Sequence, residues 1–137
     1  MKEISKSVII TGANKGIGFA SLKKFLVNDY KVFCCTRKKN QRNLIDSLEI
    51  SKNLSKNIIP IYLDLENEKS ILDAVEEIKK TGYVVNGLIN NAGTIETKLF
   101  LMTKIDEIKK MFQTNFFSSL LFTQFIIKIF IKQKHGN

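Results

Sequence analysis

The stretch Gly12-Ala13-Asn14-Lys15-Gly16-Ile17-Gly18, set between a β-branched run and an amphipathic run, constrains this chain more than any other feature. Before it, Ile4 to Thr11 contains Val8-Ile9-Ile10 and reads as a buried strand. After it, Gly16 to Asn28 places Ile17, Ala20, Leu22, Phe25 and Leu26 on one helical face and stops at Asn28-Asp29. Glycine lets a backbone turn sharply and lets a pyrophosphate come close to it. A helix start adds unpaired N–H groups and a partial positive charge. The spacing G-x-x-x-G-x-G differs from both G-x-G-x-x-G and the Walker loop. Taken alone, such a turn is either a phosphate cradle or a tight connection.

The alternation begun there continues. Lys31 to Thr36 and Ile58 to Leu63 read as second and third strands, the third marked as an edge by Pro60. Gly87 to Asn90 reads as a fourth. Between them, Lys38 to Leu54 suggests a looser helix with Leu44, Ile45 and Leu48 on one side. Asn67 to Lys80 suggests a firmer one, with Ile71, Leu72, Val75 and Ile78 apolar, Asn67 as N-cap and Gly82 beyond the end. From Thr103 to Gln133 the chain reads as helix, opened by Thr103 with Asp106 and closed by a turn at His135-Gly136-Asn137. No linker or repeat interrupts the pattern, so residues 1–137 read as one α/β domain with a parallel sheet covered on both faces.

Charge and cysteine content narrow the function. Lys and Arg number 22 against 13 Asp and Glu, a net charge of +9. The lysines are scattered without a basic block, which argues against a nucleic-acid surface, although the excess helps attract an anionic dinucleotide. Phe116 to Ile131 is the most apolar stretch, but Ser118, Ser119, Thr123, Gln124 and Lys128 break it, so it reads as an interior helix, not a membrane span. Cys34 and Cys35 point to opposite faces of a strand and cannot pair. They lack metal-site spacing and fit a reducing, cytoplasmic setting. No signal peptide is expected either. At the end of the second strand, an acidic residue would bind the ribose 2′-hydroxyl of NAD. This chain has Cys35-Thr36-Arg37 instead, and Arg37, with Lys15 in the glycine turn, suits a 2′-phosphate.

Thr11-Gly12, Gly16-Ile17-Gly18, Asp64-Leu65, Asn90-Asn91-Ala92-Gly93 and Asn115 occur in an order and spacing that resemble the short-chain dehydrogenase/reductase family along essentially the whole chain. Within that family the chain most resembles 3-oxoacyl-acyl-carrier-protein reductases, on Lys15, Arg37 and the Lys132-Gln133-Lys134-His135-Gly136 segment. The resemblance implies a Rossmann-like, doubly wound sheet of order 3-2-1-4, with residues 1–137 as its NAD(P)-binding N-terminal half. It implies NADP(H) as cofactor. Gly12, Asn14, Lys15, Gly16, Ile17 and Gly18 then line the pyrophosphate and adenosine ribose, and Thr36 and Arg37 meet the 2′-phosphate. Asp64 and Leu65 meet the adenine, and Asn91, Ala92 and Gly93 pass under a ribose. Asn115 becomes the catalytic asparagine that holds a water in the proton relay, at a disturbed point of its helix. A homodimer or homotetramer, and a small carbonyl or acyl-thioester substrate, follow from the same likeness.

The family's serine, tyrosine and lysine lie past a fifth strand, beyond Asn137. Tyr30, Tyr62 and Tyr83 are followed four residues on by Cys34, Glu66 and Gly87, so no Tyr-x-x-x-Lys occurs. Losing a positioned general acid costs about 10²- to 10⁴-fold. These residues alone are therefore expected to bind cofactor without turning over substrate. The fourth strand is expected to have a bare edge, and Phe116, Phe117, Leu120, Leu121, Phe125 and Ile129 to be under-covered. The other readings are a non-catalytic remnant that binds nucleotide or pairs with a subunit and, distantly, a nucleic-acid-binding module.

Overall fold

The computed structural model describes residues 6–37, 45–46 and 48–137. Four strands form one parallel sheet: β1 (Ser7–Thr11), β2 (Lys31–Thr36), β3 (Ile58–Tyr62) and β4 (Val85–Ile89), in the order β3-β2-β1-β4. The order 3-2-1-4 is the expected one. Ile4 lies outside the described residues. Pro60 pairs opposite Cys34 on β3, which is an edge strand as its missing N–H requires. Strand β1 is buried throughout and β2 is buried beyond Lys31; the two pair in register from Ser7↔Lys31 to Thr11↔Cys35.

Two cores form because successive residues of a strand face opposite ways. On one face Val8, Ile10, Val32, Cys34 and Ile58 pack with Leu22 and Leu26 of α1 (Gly16–Leu26) and with Leu48. On the other, Ile9, Phe33, Cys35 and Ile61 meet Ile71, Ala74, Val75 and Ile78 of a helix at Glu68–Lys80. The adjacent cysteines thus enter opposite cores, both as free thiols.

The second helical region matches expectation at Ile45 and Asp46, which are helical, and departs from it further on. Lys38 to Leu44 and Ser47 lie outside the described residues. From Leu48 onward there is no continuous helix: Glu49 has φ 47°, in the left-handed region that ends helices, and only α2 (Lys52–Ser55) follows. The helix at Glu68–Lys80 is α3. Asn67 caps it, its side-chain oxygen accepting from the Ser70 N–H at 3.2 Å, and Gly82 follows with φ +68°.

The last helix is disturbed around Asn115, as the family resemblance implied, and it does not open at Thr103. A 3₁₀ turn at Phe100–Met102 precedes α4 (Ile105–Phe112). A wider π-helical turn occupies Gln113–Ser118, and α5 runs from Ser119 to Gln133. Thr103 is not the cap. Its hydroxyl donates back to Leu99 O, and Lys104 holds the cap position, its N–H donating to the Glu107 carboxylate at 2.9 Å.

The interior-helix reading holds for one stripe only. Phe122 and Ile126 are buried, and Leu121, Phe125, Ile129 and Phe130 are partly buried against the same core. Phe116, Phe117, Leu120, Ile127 and Ile131 are exposed. By length and composition alone, Ile105–Gln133 is long and apolar enough to cross a membrane. Its buried stripe nevertheless belongs to the core between α3 and the sheet. Beyond it, Asn137 reaches the free side of β4, donating its N–H to Asn86 O and accepting from Leu88 N–H, as a neighbouring parallel strand does.

Candidate functional site

The carboxyl ends of the strands open into a cavity of about 340 Å³. Its wall carries Gly12, Asn14, Lys15 and Gly16 from the β1–α1 turn and Thr36 and Arg37 from the end of β2. Asp64, Leu65 and Glu66 line it after β3, and Asn91, Ala92 and Gly93 after β4. Segments separated by some 80 residues are joined there by one hydroxyl. Thr11 Oγ1 accepts from the Asn91 N–H at 3.0 Å and the Ala92 N–H at 2.9 Å. The Asn91 side-chain amide returns two bonds, to Thr11 O at 3.0 Å and Gly12 O at 3.1 Å. The asparagine-rich turn is thereby fixed against the glycine turn.

The glycines are required by space and conformation. Gly12 has φ +66° and Gly16 φ +56°, both left-handed. A Cβ on Gly18 would stand 2.3 Å from Gly12 O and 2.4 Å from Asn91 Nδ2. Only a residue without a side chain lets α1 start so close to the turn. Lys15 occupies the cap position of α1 in extended conformation, its side chain makes no cap hydrogen bond, and no acid stands in the first turn. The helix start is open towards the cavity, and the side chain beside it is cationic.

Most of the expected site residues converge here, and three do not. Ile17 is 80% exposed and does not line the cavity, because its position on the first turn faces solvent. Gly18 lies beneath the cavity, against Gly12 and Asn91. Asn115 sits in the π-helical turn next to the wall, where its oxygen accepts from the Thr94 N–H at 2.8 Å and its nitrogen donates to Thr94 O at 2.7 Å. The neighbouring Thr114 and Thr94 are the lining residues on that side. Asn115 thus clamps the segment leaving Gly93.

Cys35 also lines the cavity, with its thiol buried. Burial raises its pKa well above the ordinary thiol value, with Cys34 and Glu77 adding to the effect, and burial pushes Cys34 up to about 12. Glu66 holds two cations, lying 3.7 Å from Arg37 and 3.1 Å from Lys110. Sequence reasoning missed Thr11 as a clamp, and Glu66 and Lys110 altogether. The Thr11-Gly12 pair held a signal for the first. Ion pairs between residues so far apart leave none.

An uncapped, cation-flanked helix start under a glycine turn fits a diphosphate. The same chain matches the short chain dehydrogenase family over residues 6–137. It belongs to that family.

Relatives of this chain include 3-amino-tetrahydro-pyrrolizinone reductase of Xenorhabdus hominickii, 34% identical over 94% of this chain and 43% of the relative. The 3-oxoacyl-acyl-carrier-protein reductase FabG of Buchnera aphidicola subsp. Acyrthosiphon pisum (strain APS) is 32% identical over 96% of this chain and 52% of the relative. The solved structure of ElxO with NADP bound is 31% identical, with TM-score 0.84, covering 96% of this chain and 53% of that one. That of 4-hydroxyisoleucine dehydrogenase complexed with NADH and succinate is 27% identical, with TM-score 0.77, covering 93% and 52%. The chain spans about half the length of the curated relatives it matches.

Proposed function

We propose that residues 1–137 are the cofactor-binding part of an NADPH-dependent carbonyl reductase, similar to the 3-oxoacyl reductases among its relatives. The observation that carries this reading is the open start of α1 under Gly12 and Gly16, with Lys15 and Arg37 on the cavity wall and no acid at the end of β2. The amides of the glycine turn would receive the diphosphate, and Arg37 with Thr36 and Lys15 the 2′-phosphate. Asp64 and Leu65 would bound the adenine. Asn91, Ala92 and Gly93 would support a ribose, their position set by Thr11.

When bound, the cofactor supplies a hydride to a substrate carbonyl. The chain's own residues hold and orient it. Asn115 shapes the far end of the cavity by gripping Thr94, and there it would order a water of the proton relay. The sequence offers no Tyr-x-x-x-Lys, so the proton donor lies outside these residues, and on their own they bind without turnover. We place the protein in the cytoplasm, acting on a small carbonyl or acyl-thioester. A second reading, a non-catalytic subunit-pairing product, draws on the exposed Phe112 of α4, Phe116 of the π-helical turn, and Leu120 and Ile131 of α5. The same apolar face suits the homodimer or homotetramer typical of the family.

Titration of the purified chain with NADPH and NADH, followed by nicotinamide fluorescence, tests the reading. NADPH is expected to bind more tightly, and Arg37→Leu to remove about tenfold of its affinity, the scale of one charge-assisted fork, while sparing NADH. Equal binding of the two, or none, would overturn it.

A further inference from the structure

This inference rests on the dinucleotide reading and concerns the choice between the two nicotinamide cofactors. Glu66 lines the cavity beside Arg37, and its two oxygens serve different cations. Oε1 lies 3.7 Å from the Arg37 guanidinium and Oε2 lies 3.1 Å from Lys110 Nζ. Arg37 follows β2, Glu66 follows β3 and Lys110 belongs to α4, so three separate parts of the chain meet through one carboxylate.

The side chains of Arg37 and Lys110 are 71% and 63% exposed, and that of Glu66 is 34% exposed. Pairs this open to water are weak and exchange readily. A guanidinium and an ammonium sharing one anion form an arrangement that a phosphate satisfies better than a carboxylate. Phosphate carries more charge and three acceptor oxygens, and the guanidinium fork matches it. A ribose hydroxyl has no such advantage. It can only donate to a carboxylate left in place, as it does to the acidic residue of NAD-binding folds.

We propose that Glu66 is a built-in competitor at the 2′-phosphate position. In the free protein it occupies Arg37 and Lys110. The 2′-phosphate of NADPH displaces it, which makes Lys110 a second phosphate contact. NADH leaves the carboxylate where it is. Glu66 therefore limits how strongly NADPH is preferred, and Lys110 reinforces that preference from a helix that no nucleotide motif marks.

The test is calorimetric titration of the 137-residue chain with NADPH and with NADH at low ionic strength, using wild type, Glu66→Gln, Lys110→Gln and the double variant. Glu66→Gln should raise the ratio of NADPH to NADH affinity by roughly two- to five-fold, the scale of an exposed ion pair. Lys110→Gln should lower that ratio by a similar factor in both the wild-type and the Glu66→Gln backgrounds. An unchanged ratio in Glu66→Gln, with both cofactors still bound, sinks the competitor while leaving the cofactor reading intact. A Lys110→Gln effect that vanishes in the Glu66→Gln background shows that Lys110 acts only through Glu66 and overturns the second contact. Failure of the wild-type chain to bind either dinucleotide removes the cofactor reading and this inference with it.

Discussion

Helices α1 and α3 both begin at the carboxyl edge of the sheet, and their first turns are finished in opposite ways. At α3, Asn67 accepts from the Ser70 N–H, Glu68 adds an acid in the first turn, and the Ser70 hydroxyl in turn accepts from the Asp64 N–H at 2.9 Å. A side-chain cap and a first-turn acid are both present there. At α1 neither is: the cap residue is a lysine whose side chain makes no cap hydrogen bond, and no acid follows in the first turn. A cation at that end opposes the helix dipole. A self-contained start serves folding, and an unfinished one is completed by an external anion. On the proposed reading, the two helices divide stability from binding.

The largest expected break in this contrast is at Gly18. A valine there puts a Cβ within 2.4 Å of both Gly12 O and Asn91 Nδ2, so either the helix or the asparagine-rich turn must retreat. We expect Gly18→Val to abolish NADPH binding and to destabilise the fold by about 2–3 kcal/mol, the upper range for overpacking. Thermal melts and NADPH titration would measure both. Affinity equal to wild type would show that the turn is only a connection.

Removing the cap of α3 should do the reverse. Asn67→Ala loses the bond to the Ser70 N–H and should cost about 1 kcal/mol in denaturant unfolding. NADPH affinity should not change, because Asn67 does not line the cavity. A drop in affinity matching that of Gly18→Val would erase the division between the two starts.

How much of this was legible in the sequence depends on how local its cause is. The β1–α1 turn, the edge position of Pro60 and the Asn67 cap were readable because glycine, proline and asparagine each act within a few residues. The site was readable where its residues belong to such turns. Ile17 was misplaced because apolar periodicity assigned it to the packed face, whereas the buried residues of α1 are Gly18, Leu22 and Leu26. Lys38 to Leu54 has sparse apolar residues, and a helical reading there had little to fix it. The region after Thr103 read as one helix because nothing in periodicity signals a π-helical turn. Only the family resemblance singled out Asn115 as a point of disturbance. The Glu66 contacts with Arg37 and Lys110 depend on the tertiary fold alone.

A third helix start sharpens the comparison at the smallest scale. At α4 the acceptor is ionisable: the Glu107 carboxylate pairs with Lys98 and accepts the Lys104 N–H. The Lys98 hydrogen bond, followed by the Lys104 backbone bond, holds the Glu107 pKa below the ordinary carboxylate value. The folded chain therefore binds fewer protons than the unfolded one on the acid side of that value. The support Glu107 gives α4 is complete above the ordinary carboxylate range and is lost as pH falls through the depressed one. Because the Glu107 side chain is only partly buried, the effect should stay local to the first turn of α4. Hydrogen exchange followed by NMR should show the Glu107 and Ile108 amides losing protection on acidification, beyond the intrinsic rate change. The Ser70 amide, held by the non-titrating Asn67, should keep its protection. Glu107→Gln should remove the acid step at α4, and a step that persists in this variant would show that another group controls that helix start.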